Sequence, residues 1–188
     1  YWDRWSIRLR MGASSWRRFD AGIVRHGRGI CENVCMQLNF IANTTRASSS
    51  GRTLPVIDPS DGQAYDDIPR SDAADVDAAV QAARTCFDTV WHKVSAAERG
   101  RLLMRLAQKV AEHADELTAL EQRDCGKPTK QARADALALV RYFEFYAGAC
   151  DKLHGDTIPY LGGYSVLTWR EPHGVTGHVI PWNYPMQI

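Results

Sequence analysis

The sequence lacks any long run of apolar residues. No stretch of its 188 residues approaches the roughly 20 apolar residues that a transmembrane helix needs. The first 35 residues also lack the apolar core of a secretory signal peptide. A dominant charge is missing as well, because 23 basic and 22 acidic side chains leave a net charge of +1 at pH 7. We therefore expect no membrane partner and no binding to the phosphate backbone of a nucleic acid.

The cysteines and histidines show neither a disulfide framework nor a metal site. The cysteines are odd in number and, apart from the first two, widely spaced, and no two of the six histidines lie at i,i+4. We expect free thiols in a reducing, cytoplasmic compartment and no bound metal. The five cysteines are Cys31, Cys35, Cys86, Cys125 and Cys150.

The chain divides by charge into two parts. Residues 1–35 carry seven arginines and three acidic residues, whereas residues 36–188 carry 16 basic and 19 acidic residues. The first part shows neither a helical nor a strand period, so we expect it to be disordered or loosely packed. Three origins remain open: upstream sequence translated in error, a cloning remnant, or a transit peptide. We favour the first, with Met36 as the natural start.

Two helices are predicted after residue 70 from apolar periodicity and capping signals. Asp72 or Ser71 is placed to cap the first helix, whose apolar residues recur at helical spacing. Ser95 and Glu98 form the pattern of a capping box, which predicts the start of the second helix.

A third and a fourth helix are predicted next, followed by a hairpin. The third should span about residues 115–124 and end at Gly126, which readily adopts the left-handed cap conformation. The fourth is an alanine-rich segment over about residues 129–148. Beyond it, segments 156–160 and 164–171 flank a Leu-Gly-Gly turn, a pattern typical of a β-hairpin.

A buried strand and a rigid turn are predicted at the carboxyl end. The run Gly-Val-Thr-Gly-His-Val-Ile at residues 174–180 is rich in β-branched residues, which indicates a buried strand. Pro181 and Pro185 fix their own φ and push the residues before them towards extended backbone. Asn183 is a neutral hydrogen-bond donor within this stiff frame. Open α/β sheets bind their ligands at such strand ends.

With these motifs the sequence resembles the NAD(P)-dependent aldehyde dehydrogenases. The segment Pro-Trp-Asn-Tyr-Pro after the predicted strand is similar to a motif of that family, and further matches occur in the family's order over roughly residues 53–188. They are Pro-Val-Ile-Asp-Pro-Ser-Asp-Gly at 55–62, Gly-Lys-Pro at 126–128, Tyr-Ala-Gly at 146–148, His-Gly-Asp-Thr-Ile-Pro at 154–159 and Arg-Glu-Pro-His-Gly-Val at 170–175.

The resemblance implies a fold that the residue patterns leave open between α/β and α+β. Residues 36–188 would be the N-terminal part of a Rossmann-like cofactor-binding domain, of class α/β. Helices would come first, then a β-hairpin of an oligomerisation arm, then the first buried strand. The complete protein would be a homo-oligomer.

The resemblance also assigns roles to residues of the final segment. Asn183 matches an asparagine whose amide forms half of an oxyanion hole, with a capping or turn role as the alternative. Ile180, Pro181 and Trp182, together with Asn183, match the wall of the cofactor cleft, although Trp182 is also compatible with core packing. Tyr184 matches an aromatic residue of the substrate tunnel, or else a buried aromatic without a functional role.

Two further matches have a structural interpretation as well as a functional one. Asp124, with the carbonyls of Val56 and Ile57, matches a monovalent-cation site of some relatives, but a helix-terminal aspartate that makes hydrogen bonds is the favoured interpretation. Lys127 and Arg170 are expected to be solvated or salt-bridged surface groups.

The implied reaction is the oxidation of an aldehyde to a carboxylic acid through a cysteine thiohemiacetal, with NAD or NADP as the hydride acceptor. None of the five cysteines lies in the family's nucleophile motif. We expect that cysteine and the general-base glutamate beyond Ile188, so the chain alone should be inactive. Two other functions remain open: a catalytically dead, aldehyde-dehydrogenase-like binding or structural subunit, and a small helical interaction module with a basic arm.

Overall fold

The computed structural model describes residues 37–188, which contain four α-helices and three antiparallel strand pairs. The predictions made for residues 1–35 and for Met36 lie outside this range. The strands are β1 Asn39–Ile41, β2 Thr44–Arg46, β3 Thr53–Ile57, β4 Ala64–Pro69, β5 Thr157–Ile158 and β6 Val166–Leu167. The helices are α1 Ala73–Thr89, α2 Ala96–Glu112, α3 Ala114–Cys125 and α4 Thr129–Ala149, and a single 3₁₀ turn, Trp91–Lys93, follows α1.

Two hairpins precede the helices, where the predicted order had helices first. β1 pairs with β2, and β3 pairs with β4 with an irregularity between Val56 and Ile57. These strands are three to six residues long. A proline, Pro55, lies inside β3, where it has no backbone N–H to donate. Such short strands without a sustained alternation give too weak a sequence signal to be predicted.

The predicted helix boundaries are confirmed, because they depend on local capping. Asp72 caps α1 and forms a reciprocal capping box with Asp75. Ser95 and Glu98 form the expected box at the start of α2. α3 ends at Gly126, which has φ 69° and ψ 22° in the left-handed region.

Small residues allow α4 to lie close to α2 and α3. A Cβ atom on Gly100 of α2 would lie 2.6 Å from the backbone oxygen of Ala147 in α4, so only glycine fits at this crossing. Ala132 and Ala136 of α4 are completely buried. This three-helix layer is the platform on which the carboxyl-terminal segment rests.

The β5–β6 hairpin is confirmed, with Gly163 at φ 86° in its turn. Residues 174–180, in contrast, form no strand, and the prediction of a buried strand there is wrong for this structure. Val179 is 80% exposed, and Gly174, Val175 and Ile180 are only partly covered. A strand is defined by hydrogen bonds to a neighbouring strand, and no segment within residues 37–188 pairs with this one.

None of the helices in the described range is long and apolar enough to span a membrane.

Candidate functional site

The carboxyl-terminal segment, residues 181–188, folds as a series of turns against α3 and α4. Met186 anchors it, because this side chain is 7% exposed and joins Ala114 and Ala136 in a buried apolar cluster. Leu117 and Leu139 pack around the same cluster. The segment is therefore held by a buried side chain, while the residues before Pro185 remain nearer the surface.

A groove of about 680 Å³ lies between α2, α4 and this segment. Ile180, Pro185 and Ile188 form one wall, and apolar residues of the two helices, including Leu106 and Phe143, form the other. Of the predicted cofactor and substrate residues, only Ile180 lines this groove. The groove is thus adjacent to the Asn183 turn and does not contain it.

Asn183 itself is exposed, and within residues 37–188 its side chain makes no hydrogen bond. A helix-capping or turn-stabilising role would normally include such a bond, and none is present within residues 37–188. The amide N–H groups are available to an incoming acceptor. This arrangement suits a donor that acts on a ligand.

The two neighbours of Asn183 contact the end of α3 and the loop that follows it. The Cys125 thiol donates a hydrogen bond to the backbone carbonyl of Trp182, with Sγ and O 3.1 Å apart. On the other side, the Lys127 ammonium lies over the Tyr184 ring, 4.2 Å from its centroid, in a cation–π contact. The Asn183 backbone is therefore restrained from both directions.

Lys127 is the centre of a buried charge cluster, which corrects the expectation that it is a surface group. Its side chain is 12% exposed and forms ion pairs with Glu121 and with Asp135, the latter at 2.7 Å. Those two carboxylates are essentially buried. We refer to Glu121, Lys127 and Asp135 as the charge cluster.

The charge cluster contains two carboxylates for one ammonium, and the pKa values of Glu121 and Lys127 are both raised. Burial is the main cause that raises the pKa of Glu121, and its bond to Lys127 does not compensate fully. One Glu121 oxygen, Oε2, has no hydrogen-bond partner among residues 37–188. For Lys127, burial alone would lower the pKa, but the bonds to Asp135 and Glu121 together outweigh it and raise the pKa. Lys127 therefore stays charged.

The cluster also reaches the carboxyl-terminal segment through Asp135. Gln187 Nε2 donates to Asp135 Oδ1 at 2.9 Å, and Gln131 Nε2 donates to the same oxygen at 2.8 Å. Sequence reasoning missed this network, although a signal was present. Asp135 occupies a position of the buried stripe of α4, three residues after Ala132 and four before Leu139. A carboxylate on such a stripe requires a partner.

The remaining predicted residues are placed as follows. Trp182 is 72% exposed, so it does not belong to the core of the described part, and Tyr184 is 37% exposed. Asp124 accepts a hydrogen bond from the Tyr65 hydroxyl at 3.4 Å, which agrees with its favoured structural role. Arg170 donates to the backbone oxygen of His154 at 2.9 Å.

No group of three or more histidine, cysteine, aspartate or glutamate side chains within residues 37–188 could hold a metal ion. In the same range, Cys86 and Cys150 are free thiols.

Comparison with known proteins gives one consistent family. The sequence model of the aldehyde dehydrogenase family matches residues 45–188. The chain is 48% identical over 141 residues to aldehyde dehydrogenase family 2 member B4, a mitochondrial protein of Arabidopsis thaliana, with 74% of this chain and 26% of that protein covered.

Two solved structures share the fold. A putative aldehyde dehydrogenase from Burkholderia cenocepacia has 61% identity and a TM-score of 0.78, covering 80% of this chain and 32% of that one. A double mutant of betaine aldehyde dehydrogenase from Staphylococcus aureus, in complex with NAD⁺, has 29% identity and a TM-score of 0.77. The match covers 80% of this chain and 30% of that one. The chain thus spans between about a quarter and a third of the length of these proteins.

Proposed function

The chain belongs to the aldehyde dehydrogenase family, and from that membership we propose that the complete protein oxidises an aldehyde to a carboxylic acid with NAD or NADP as the hydride acceptor. The observation that carries the proposal is the exposed amide of Asn183 between two restrained neighbours. The α/β architecture of residues 37–188 agrees with that of the family's solved structures.

Asn183 would act on the oxygen of the aldehyde. When a cysteine thiolate of the complete protein adds to the carbonyl carbon, that oxygen takes the negative charge. The Asn183 amide would donate to this oxyanion and would do so at any pH near neutrality, because the amide does not titrate. A donor held in place before the reaction has little reorganisation to undergo during it.

The cofactor, when bound, would accept the hydride. The residues proposed to hold it are Ile180, Pro181, Trp182 and Asn183, and their exposure fits this role. Trp182 presents most of its indole surface, and Ile180 and Pro181 are partly exposed. The similarity to a structure determined with NAD⁺ supports the same assignment. Tyr184, on the other side of Asn183, is proposed to face the aldehyde.

The experiment that tests this function is a spectrophotometric assay of the complete protein with a panel of aldehydes and each nicotinamide cofactor. We expect NAD(P)H formation that depends on aldehyde and is abolished by a thiol reagent. Binding of NAD(P) without turnover of any aldehyde would favour the catalytically dead binding or structural subunit instead.

The 188-residue chain assayed alone is expected to form no NAD(P)H, because none of its cysteines lies in the family's nucleophile motif. The measurement is the same assay with the complete protein as the positive control. Turnover by the 188-residue chain that a thiol reagent abolishes would show that one of its own cysteines is the nucleophile.

We propose that residues 1–35 lie outside the family domain, which would occupy residues 36–188 and continue beyond them. The family match begins at residue 45, which supports this boundary. A complete protein that starts at Met36 should therefore keep its kcat, KM and thermal midpoint. Loss of folding or activity in that shortened protein would contradict the proposed boundary.

We propose that the protein lies in the cytoplasm. The alternative compartment is the mitochondrion, where the Arabidopsis thaliana relative is found. Free thiols in the described part agree with either reducing compartment. A fluorescent reporter fused behind residues 1–35 should remain in the cytoplasm. Import of the reporter into an organelle would identify this arginine-rich segment as a transit peptide.

We also propose that the complete protein is a homo-oligomer whose interface includes the β5–β6 hairpin. Large apolar side chains on and beside the hairpin are exposed, and Trp169 is the most exposed of them at 82%. Light scattering of the complete protein tests this, since a monomer at working concentration would contradict the proposal. The other exposed residues are Tyr160, Leu161, Tyr164 and Leu167.

A further inference from the structure

The charge cluster lies beneath the turn that carries Asn183 and contacts that turn at two points. Lys127 Nζ is 4.2 Å from the centroid of the Tyr184 ring, and Tyr184 is the residue directly after Asn183. Gln187, four residues after Asn183, donates a hydrogen bond from its Nε2 to Asp135 Oδ1 at 2.9 Å. Met186 is buried between these two contacts. The position of the turn therefore depends on a polar network as well as on apolar packing.

The side chains of this polar network are restrained by hydrogen bonds to one another. Lys127 is hydrogen-bonded to Glu121 and, at 2.7 Å, to Asp135, and both carboxylates are essentially inaccessible to solvent. A lysine on the surface would sample many rotamers, whereas here two buried acceptors fix the ammonium in one place. Asp135 is itself restrained, because its Oδ1 accepts a hydrogen bond from Gln131 Nε2 at 2.8 Å.

Burying the charges of this cluster costs desolvation free energy, which apolar packing at the same place would not. Two buried carboxylates share one ammonium, and in the described part of the chain Glu121 Oε2 has no hydrogen-bond partner. Replacing such a group by apolar residues of similar volume is often neutral or stabilising. What the cluster provides instead is two oriented contacts with the turn. It places the Lys127 ammonium over the Tyr184 ring and an Asp135 oxygen within hydrogen-bond distance of Gln187.

We infer that the charge cluster is a positioning device for Asn183, in which Lys127 and Asp135 fix the backbone on the carboxyl side of that residue. The inference rests on the proposed role of Asn183 in oxyanion stabilisation. In this proposal the cluster does not touch the substrate, and its main effect on the reaction passes through the placement of the Asn183 amide.

The test uses the complete protein with a triple variant, Glu121→Gln, Lys127→Met and Asp135→Asn, which removes all three charges and leaves none unpaired. The same triple variant is made in an Asn183→Ala background to complete a double-mutant cycle. Lys130→Met is the matched control, since Lys130 is an exposed lysine in the first turn of α4, three residues after Lys127. Aldehyde-dependent kcat and hydrogen exchange of the backbone amides in residues 182–188 are measured for each.

The triple variant is expected to lose roughly 10- to 100-fold in kcat, since a displacement of about 1 Å in a reacting constellation costs that much. In the Asn183→Ala background the same changes should have little further effect. Amides of residues 182–188 should exchange faster in the triple variant, while those of α1 remain as in the parent protein. Lys130→Met should match the parent in both measurements.

Two results would overturn the inference. One is an equal fold-loss in kcat in both backgrounds, which would show that the cluster does not act through Asn183. The other is unchanged exchange in residues 182–188 of the triple variant. If the parent protein oxidises no aldehyde, the proposed function fails, and the exchange measurement alone still decides whether the cluster holds the turn.

Discussion

Asn183→Ala is expected to lower kcat and kcat/KM of the complete protein together, by roughly 10²- to 10³-fold. The amide is exposed and makes no hydrogen bond within residues 37–188, so its removal should cost little stability. The loss should therefore fall on the transition state, where the donor meets the developing oxyanion. Steady-state kinetics with saturating cofactor measure both constants.

Asn183→Asp should be the more damaging of the two substitutions. A carboxylate is nearly isosteric with the amide, but it accepts where a donor is needed and repels the developing negative charge. Gln108→Ala provides the matched control, because Gln108 is an exposed amide side chain on α2 that does not line the groove. Near-normal kcat in Asn183→Ala, combined with lost cofactor binding or failure to fold, would make Asn183 a structural residue.

The second large effect concerns stability. Lys127→Met should destabilise the protein by about 3–5 kcal/mol, because it leaves Glu121 and Asp135 buried without their cation. The triple variant that also carries Glu121→Gln and Asp135→Asn should recover most of that loss, since it removes the unpaired charges. Urea unfolding of the complete protein, followed by tryptophan fluorescence, gives both free-energy differences.

Lys130→Met serves as the control for stability as well and should change the free energy of unfolding by no more than about 0.5 kcal/mol. A similarly small change in Lys127→Met would mean that water reaches the cluster. A triple variant that is no more stable than Lys127→Met would show that Lys127 contributes packing of its stem and not charge compensation.

The features that sequence predicts well here are those that arise from neighbouring residues. Asp72 and Ser95 start helices because their side chains accept hydrogen bonds from backbone N–H groups two or three residues away. Gly126 ends α3 because it adopts a left-handed conformation that other residues avoid. The α/β class and the family also follow from motifs that are continuous in sequence.

The features that sequence predicts poorly depend on residues that are distant in the chain. Lys127 is indistinguishable from a surface lysine until α3 and α4 bring Glu121 and Asp135 around it. The run at residues 174–180 has the composition of a buried strand, but a strand also needs a partner, and no described segment supplies one. Exposure of Trp182 is likewise a property of the assembled fold.

The central claim, that this chain supplies the oxyanion donor of an aldehyde-oxidising enzyme, is tested most directly by a single-turnover experiment. The complete protein, saturated with cofactor and in excess over aldehyde, is mixed rapidly and NAD(P)H formation is followed. Asn183→Ala should slow this single turnover by roughly 10²- to 10³-fold with an unchanged cofactor dissociation constant. A single-turnover rate equal to that of the parent protein would contradict the claim.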